Sequence, residues 1–461
     1  MKMRNFCLLL FSAVLFSCTL GPDYKRPETF SDAQIKKSLN LKDESLSSSH
    51  NWYKDFNDEV LNTLVEKAVE NNKDVQIAIS RLKQSRNALK INSTNYLPQL
   101  DASGKYEFSK VGKNAGVPLE YNYFQTDFDV SWELDIWGAG RRQTEEYKAL
   151  SDTAAANLEN VKISVVAEVV SDYYNLRTAE EQLRIAKENL NLQQKIFDIV
   201  EQKYQNGLAD ELSYKQAGYI VEQTKASIPD FQSQITTYKN ALSVLVSSLP
   251  DENIANLQGE NPVAKRFMFD LNKLYQFPVS TLRLRPDIMA AEYNLIAKNA
   301  AIGQAVAELY PSVNISALAG YQSFSGHKLF SSDSSAYGYT PALQLPIFHW
   351  NALRNNIKLQ KNIYKEYLYI YEQAVINAAS EISNSVSKLK NEYARNNSLR
   401  LSFLRIKDVL NLTMEKYDNG LIEFSDVLAQ EHNLLKAHQD LIGSNGALYT
   451  NIAAFYKAIG Q

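Results

Sequence analysis

The chain has 461 residues, with 49 Lys and Arg against 52 Asp and Glu, a net charge of −3, and two cysteines. Near-neutral charge with no basic cluster excludes nucleic acid as a natural partner. Two cysteines cannot build a disulfide framework, and the length allows two or three ordinary domains.

Lys2 and Arg4 open the chain, and an apolar run of 11 residues follows from Phe6 to Phe16. That run is too short to span a bilayer as a helix and predicts a signal peptide over 1–17. It ends in Leu15-Phe16-Ser17-Cys18, which resembles a bacterial lipobox. The resemblance implies cleavage before Cys18 and a diacylglycerol on its thiol; the plainer reading is an ordinary signal peptide beside an incidental cysteine. No later apolar stretch approaches 18 residues. Residues 18–56 read as an extended N-terminal arm, acylated at its first residue.

From there the chain repeats itself at a constant offset of 213 residues. Asn72-Lys73-Asp74-Val75 answers to Arg285-Pro286-Asp287-Ile288, Pro98 to Pro311, Trp137 to Trp350, and Lys203-Tyr204-Gln205-Asn206-Gly207-Leu208 to Lys416-Tyr417-Asp418-Asn419-Gly420-Leu421. A duplicated unit this long is no short-period solenoid. It predicts two equivalent halves, 57–249 and 285–461, joined by a Pro-containing connector over 250–284.

Each half reads in the same order. A helix is predicted over 57–92, with Leu61, Leu64, Val65, Ala68 and Val69 at helical spacing, and its counterpart over 286–308. Hairpins follow at 97–137 and 311–349, turning through the Gly- and Ser-rich stretches Lys110–Glu120 and Ser323–Ser335. Over 121–136, Phe124, Thr126, Phe128, Val130, Trp132, Leu134 and Ile136 alternate with Gln125, Asp127, Asp129, Ser131, Glu133 and Asp135. Period-two alternation of that length fits a barrel wall with lipid on one side and water on the other.

Next, 66 residues from Arg141 to Asn206 and 69 from Asn351 to Asn419 contain neither Gly nor Pro. At ~1.5 Å per residue, each predicts a helix on the order of 100 Å long. Leu183, Ala186, Leu190, Gln193, Phe197, Val200 and Tyr204 step by three and four, as do Phe403, Ile406, Leu410, Thr413 and Tyr417; this is coiled-coil spacing. Both long helices stop at Asn-Gly, where Gly tolerates the left-handed cap. Return helices are predicted over 210–247, interrupted at Pro229, and over 424–458 with Ser425 as N-cap. Four strands cannot close a barrel, for which roughly eight are needed, and open sheet edges are prohibitive in lipid. Oligomerisation is the expected remedy.

These residues resemble the TolC-type outer-membrane efflux proteins, in their NodT-like lipoprotein branch. The matching stretches run from Cys18-Thr19-Leu20-Gly21-Pro22-Asp23-Tyr24 through Ser131-Trp132-Glu133-Leu134-Asp135-Ile136-Trp137-Gly138 and Leu284-Arg285-Pro286-Asp287-Ile288. They continue with Leu345-Pro346-Ile347-Phe348, Lys416-Tyr417, and Asp426-Val427-Leu428. The family's Gly-Gly after Pro-Ile-Phe is replaced here by His349-Trp350-Asn351.

The resemblance implies a mixed α and β membrane protein: a homotrimer with one 12-stranded outer-membrane β-barrel and a periplasmic α-barrel of long helical hairpins. It implies passive export from an inner-membrane pump through a periplasmic adaptor, with outer-membrane lipid around the barrel. It places adaptor docking at the tips, Gly207, Leu208, Gly420 and Leu421, and a periplasmic gate at Tyr417 and Asp426, with Glu423 supplying further charge. Asp426 reads equally as a helix-start charge favoured by the macrodipole. Ile422 and Ala429 stand where some members carry charged gate residues.

The five histidines lack metal-ligand spacing, no glycine-rich phosphate loop follows a strand, and no nucleophile elbow occurs. No metal, cofactor or enzymatic activity is expected. The alternative is a non-pore structural coiled-coil envelope lipoprotein or adhesin, which would need no strand with one wholly polar face.

Overall fold

The computed structural model describes residues 19–27, 51–112, 114, 120–250, 261–265 and 280–461. The expected signal peptide, Cys18, most of the arm, most of the connector and the tip of the first hairpin lie outside the described residues. The elements are α1 (Glu59–Asn71), α2 (Lys73–Thr94), β1 (Gln99–Lys110), β2 (Glu120–Glu133), α3 (Ala139–Gln205) and α4 (Glu211–Leu245). They are followed by α5 (Pro286–Ala307), β3 (Ser312–Ser323), β4 (Ser335–Gln344), α6 (Trp350–Asp418) and α7 (Phe424–Ile459). The 213-residue offset relates both ends of α2 to α5, both ends of β1 to β3, and the start of α4 to the start of α7.

Two compact units emerge. The first joins the described residues 19–27 to Arg81–Ala155 and Ala290–Glu372. Its strands form one antiparallel sheet in the order β1-β2-β3-β4. The register sets Leu100 beside Val130, Tyr106 beside Phe124, Val130 beside Ala317, Trp132 beside Ile315, Ala317 beside Tyr339, and Val313 beside Leu343. These side chains share one face, because successive strand residues alternate. Opposite them, Asp101, Ser103, Lys105, Asp127, Asp129, Asn314, Ser316 and Thr340 share the other. On that polar face, Ser103 and Gln125 donate to the Asp127 carboxylate. Among the described residues, β1 and β4 each have a strand neighbour on one side only.

The segment Thr19–Pro27 is fastened across this unit. The Leu20 N–H donates to Trp137 O at 3.1 Å, and Arg142, buried, donates to Leu20 O and the Asp23 carboxylate. Asn299 donates to Pro22 O, while Arg26 grips Glu292 through two bonds of 2.6 and 2.7 Å. Gly21 has φ 92° and lies so close to Gly303 that a Cβ would overlap the Gly303 Cα; only glycine fits there.

The second unit contains Thr29–Ser80, Ala156–Met289 and Gln373–Gln461. Aromatic rings fill its core. Trp52 stacks on Tyr456 at 4.5 Å, Tyr174 stacks on Tyr449 at 4.0 Å, and Phe56 meets Tyr174 and Tyr449 edge-on. Each pair adds about 0.5–1.5 kcal/mol beyond its buried area. The Tyr173 hydroxyl donates to Asp58 at 2.7 Å, and the same carboxylate caps α1 through the N–H groups of Val60 and Leu61.

Three expectations are corrected. The helix predicted over 57–92 breaks at Asn72, where ψ is 133°. The Asn72 Oδ1 accepts from the N–H groups of Asp74 and Val75 and so starts α2; Asn competes with the helix for its own backbone. The strand predicted over 121–136 ends at Glu133. The Asp135 carboxylate accepts from the N–H groups of Gly140 and Arg141, both at 3.0 Å, so the chain turns to cap α3, and Leu134 and Ile136 leave the strand. Finally, α4 runs unbroken through Pro229, although that position supplies no N–H.

At the break, the two repeats solve one problem with different chemistry. The Asn72 Nδ2 donates to Leu245 O at 2.9 Å. Its counterpart Arg285 donates through Nη1 to Ala458 O at 2.5 Å, and also holds Asp287 and Glu381, both at 2.7 Å. Arg285→Ala should therefore cost about 2–3 kcal/mol, the range for lost bonds to charged groups. Asn72→Ala should cost about 1 kcal/mol, as for a lost cap. Denaturant midpoints of the detergent-solubilised protein, followed by circular dichroism, check this ranking.

Candidate functional site

The sites expected at the helix ends lie together at the tips of two helical hairpins, α3–α4 and α6–α7. Both long helices close in the same way. The Leu208 N–H donates to Lys203 O at 2.7 Å and the Gly207 N–H to Tyr204 O at 3.0 Å. The Leu421 N–H donates to Lys416 O at 2.9 Å and the Gly420 N–H to Tyr417 O at 2.8 Å. This is the Schellman arrangement. It requires positive φ at the glycines, observed at 71° for Gly207 and 68° for Gly420. A Cβ at either glycine would meet open space, so conformation and not crowding selects them.

The leucines after the caps do not fold back. Leu208 is 77% exposed and Leu421 is 71% exposed, although this position usually packs against the last helical turn. Each tip thus presents a bare leucine after its cap, flanked by the exposed acids Asp210 and Glu211, or Asp418, Glu423 and Asp426.

The return helices start differently. Asp210 caps α4 by accepting from the Ser213 N–H at 3.0 Å. Hydrogen bonds from Ser213, through its side chain and backbone, hold the Asp210 carboxyl below the usual carboxylate range. At α7 the cap position belongs to Glu423 and not to Ser425, and the Glu423 side chain makes no cap bond. Instead the Asp426 N–H donates to Glu423 O at 3.1 Å. Asp426 stands exposed in the first turn, where the macrodipole favours a carboxylate.

Tyr417 reaches across. Its hydroxyl accepts from Lys203 Nζ at 3.2 Å, and the same ammonium lies 5.5 Å from the ring centroid. The ring also leans on Phe424 at 5.4 Å. The counterpart Tyr204 stacks on Tyr214 at 5.0 Å, within its own hairpin. The two repeat-related tyrosines therefore do different work: one stiffens a hairpin and the other joins two. The expected gate residues Tyr417, Glu423 and Asp426 all lie within this tip, yet no bond joins Tyr417 to either acid among the described residues. Sequence reasoning missed Lys203, although its place one residue before Tyr204 put it on the last turn beside the tip.

Above the tip the hairpins meet through Val200, Ala217 and Leu428, with Phe197, Tyr214 and Phe424 packed against them. Val200 belongs to the heptad seam read from the sequence, and Gln193, one heptad earlier, is 4% exposed. Among the described residues no helix is long and apolar enough to cross a membrane, and no cluster of His, Cys, Asp and Glu could hold a metal ion.

A family model described as outer membrane efflux protein matches residues 64–247 and again residues 277–461. The chain is 27% identical over 469 residues to the cation efflux system protein CusC of Escherichia coli O157:H7, covering 100% of this chain and 98% of that protein. Its fold is similar to that of the outer-membrane channel OprN, with TM-score 0.88 and 29% identity over 96% of this chain and 99% of that one. It is also similar to the Campylobacter jejuni CmeC outer membrane channel, with TM-score 0.87 and 26% identity over 96% and 95%.

Proposed function

We infer, from the premise that the chain belongs to the outer membrane efflux protein family, that it is the outer-membrane channel of a tripartite export system. It acts as a passive duct for small molecules handed on by an inner-membrane pump through a periplasmic adaptor. One observation carries this reading: a four-stranded sheet with one apolar face, one polar face and two open edges. In lipid such edges must be joined to other strands. Three copies supply twelve strands, above the roughly eight that close a barrel, and turn the polar faces toward water. A duct of this kind needs neither a cofactor nor a catalytic group, and the chain is not an enzyme. A structural scaffold would have no use for the two-faced sheet.

The anchor is Cys18, acylated after removal of residues 1–17; mass spectrometry of the N-terminal peptide should find the lipid and lose it in Cys18→Ser. The domain plan is the arm 18–56, one repeat over 57–249, a connector over 250–284 and the second repeat over 285–461.

The gate is the tip. Lys203 holds Tyr417 across the hairpins, and three copies of exposed Asp426 and Glu423 place carboxylates around a narrow entrance that draws cations. An exposed bond of this sort contributes about 0.2–1 kcal/mol, so three per trimer bias closure without fixing it. In planar bilayers, Tyr417→Ala should raise the open fraction several-fold and Tyr417→Phe by less, because the phenylalanine ring keeps its contact with Phe424. A protein that conducts in none of these forms would overturn the channel reading.

Gly207, Leu208, Gly420 and Leu421 form the docking surface for the adaptor. Leu208→Asp with Leu421→Asp should abolish adaptor cross-linking while the oligomer persists in detergent. Cross-linking at wild-type yield would remove the tips from the interface.

A further inference from the structure

We propose that Glu431 is a proton-operated lock in the seam between the two helical hairpins: the neutral carboxyl lets the seam close, and the carboxylate drives it apart. This rests on the channel reading, and adds a control to it.

Phe424, Leu428, Glu431 and Leu435 follow one another on α7 at steps of four, three and four. That is the spacing of a buried coiled-coil stripe. Leu428, 3% exposed, packs with Val200 of α3 and Ala217 of α4, and Phe424 packs against the same cluster. The stripe therefore faces the other hairpin. Glu431, one turn further along it, is 7% exposed. Its Oε2 is sealed from solvent and has no hydrogen-bond partner among the described residues. A charge placed so is costly unless it is paired, and an orphaned buried polar atom calls for a reason.

Among the described residues no hydrogen bond or ion pair ties Glu431 to a countercharge, and Lys195 of α3 is exposed. The buried polar groups of the seam, Gln193 of α3 and Thr224 of α4, are neutral, and the Gln193 Oε1 also lacks a donor. Tyr214 of α4 turns its hydroxyl to Glu201 of α3 at 3.5 Å. Asp198 of α3 is exposed and accepts from Gln194, and Glu222 and Lys225 of α4 are exposed and paired with each other. On α6, Lys407 and Asp408 are exposed, and Ile406 and Leu410 are the seam residues. On α7 itself His432 is exposed, while His438 lies against Phe403 at 4.6 Å.

Burial alone pushes the Glu431 carboxyl up from 4.5 to about 7. Once the hairpins part, water reaches it and its affinity for the proton returns to the ordinary value. The closed seam thus binds the proton more tightly than the parted one. The closure this supplies is complete below pH 4.5, is lost as the pH rises to about 7, and changes no further above that. Within the window the closed-to-open ratio falls by up to about tenfold per pH unit.

The test is planar-bilayer recording of the purified full-length channel, with the pH on the tip side stepped from 5 to 8. The wild-type open fraction should climb to pH 7 and then level. Glu431→Gln, which keeps the shape without the charge, should stay at the low value throughout. A wild-type response that survives in Glu431→Gln overturns the lock. Hydrogen exchange of the 424–435 peptides gives a second reading that needs no conductance. The ratio of wild-type to Glu431→Gln rates, taken at matched pH, should be at least about tenfold larger at pH 7.5 than at pH 5; a constant ratio overturns the lock. Should Tyr417→Ala also fail to conduct, the channel reading falls, and the exchange ratio alone still decides on Glu431.

Discussion

The rest of the structure depends on the hydrogen-bonding needs of sheet edges in lipid. β1 and β4 each expose a row of backbone donors and acceptors, and hydrocarbon offers them nothing. The chain must therefore be a segment of a larger cylinder. The apolar face of the sheet states where that cylinder sits, and the polar face states what fills it.

Duplication supplies the two hairpins of each segment, and the repeats agree in geometry more than in chemistry. Asn72 and Arg285 occupy equivalent breaks and bond to equivalent carbonyls, Leu245 O and Ala458 O. One is a short neutral amide and the other a long cation tied to two carboxylates. What persists between the halves is a requirement for a donor at that place. The tips carry the same lesson in reverse: their Schellman caps match closely, but Tyr204 and Tyr417 take different partners. Backbone geometry has been kept while side-chain roles have separated.

The seam above the tips sets two demands in opposition. Val200, Ala217 and Leu428 exclude water, which stabilises closure, while Glu431 and Gln193 introduce polar groups into the same dry layer. A wholly apolar seam would be stronger and less responsive. Placing a single carboxyl where it is sealed when the seam closes and wetted when it parts couples the seam to solvent acidity.

Much of the fold was legible in the sequence, because periodicity and backbone chemistry are local. The 213-residue offset, the alternation over β2, the Gly- and Pro-free helices and the Asn-Gly stops each follow from how neighbouring residues share one stretch of backbone. Other features were not legible. Asn72 reads as an ordinary helical residue until Leu245 O arrives to hold it, and the strand reading runs past Glu133 because alternation cannot show that Asp135 will cap α3. Lys203 and Glu431 are polar residues among many on long helices; their meaning lies in Tyr417 and in the Val200–Ala217–Leu428 layer, which other helices deliver. The sequence by itself determined the elements, their duplication and the need for company in the membrane. Only the tertiary structure decided which polar groups are paired, which are sealed and which tyrosine bridges two hairpins, because burial and pairing depend on distances between residues as far apart in the chain as Lys203 and Tyr417.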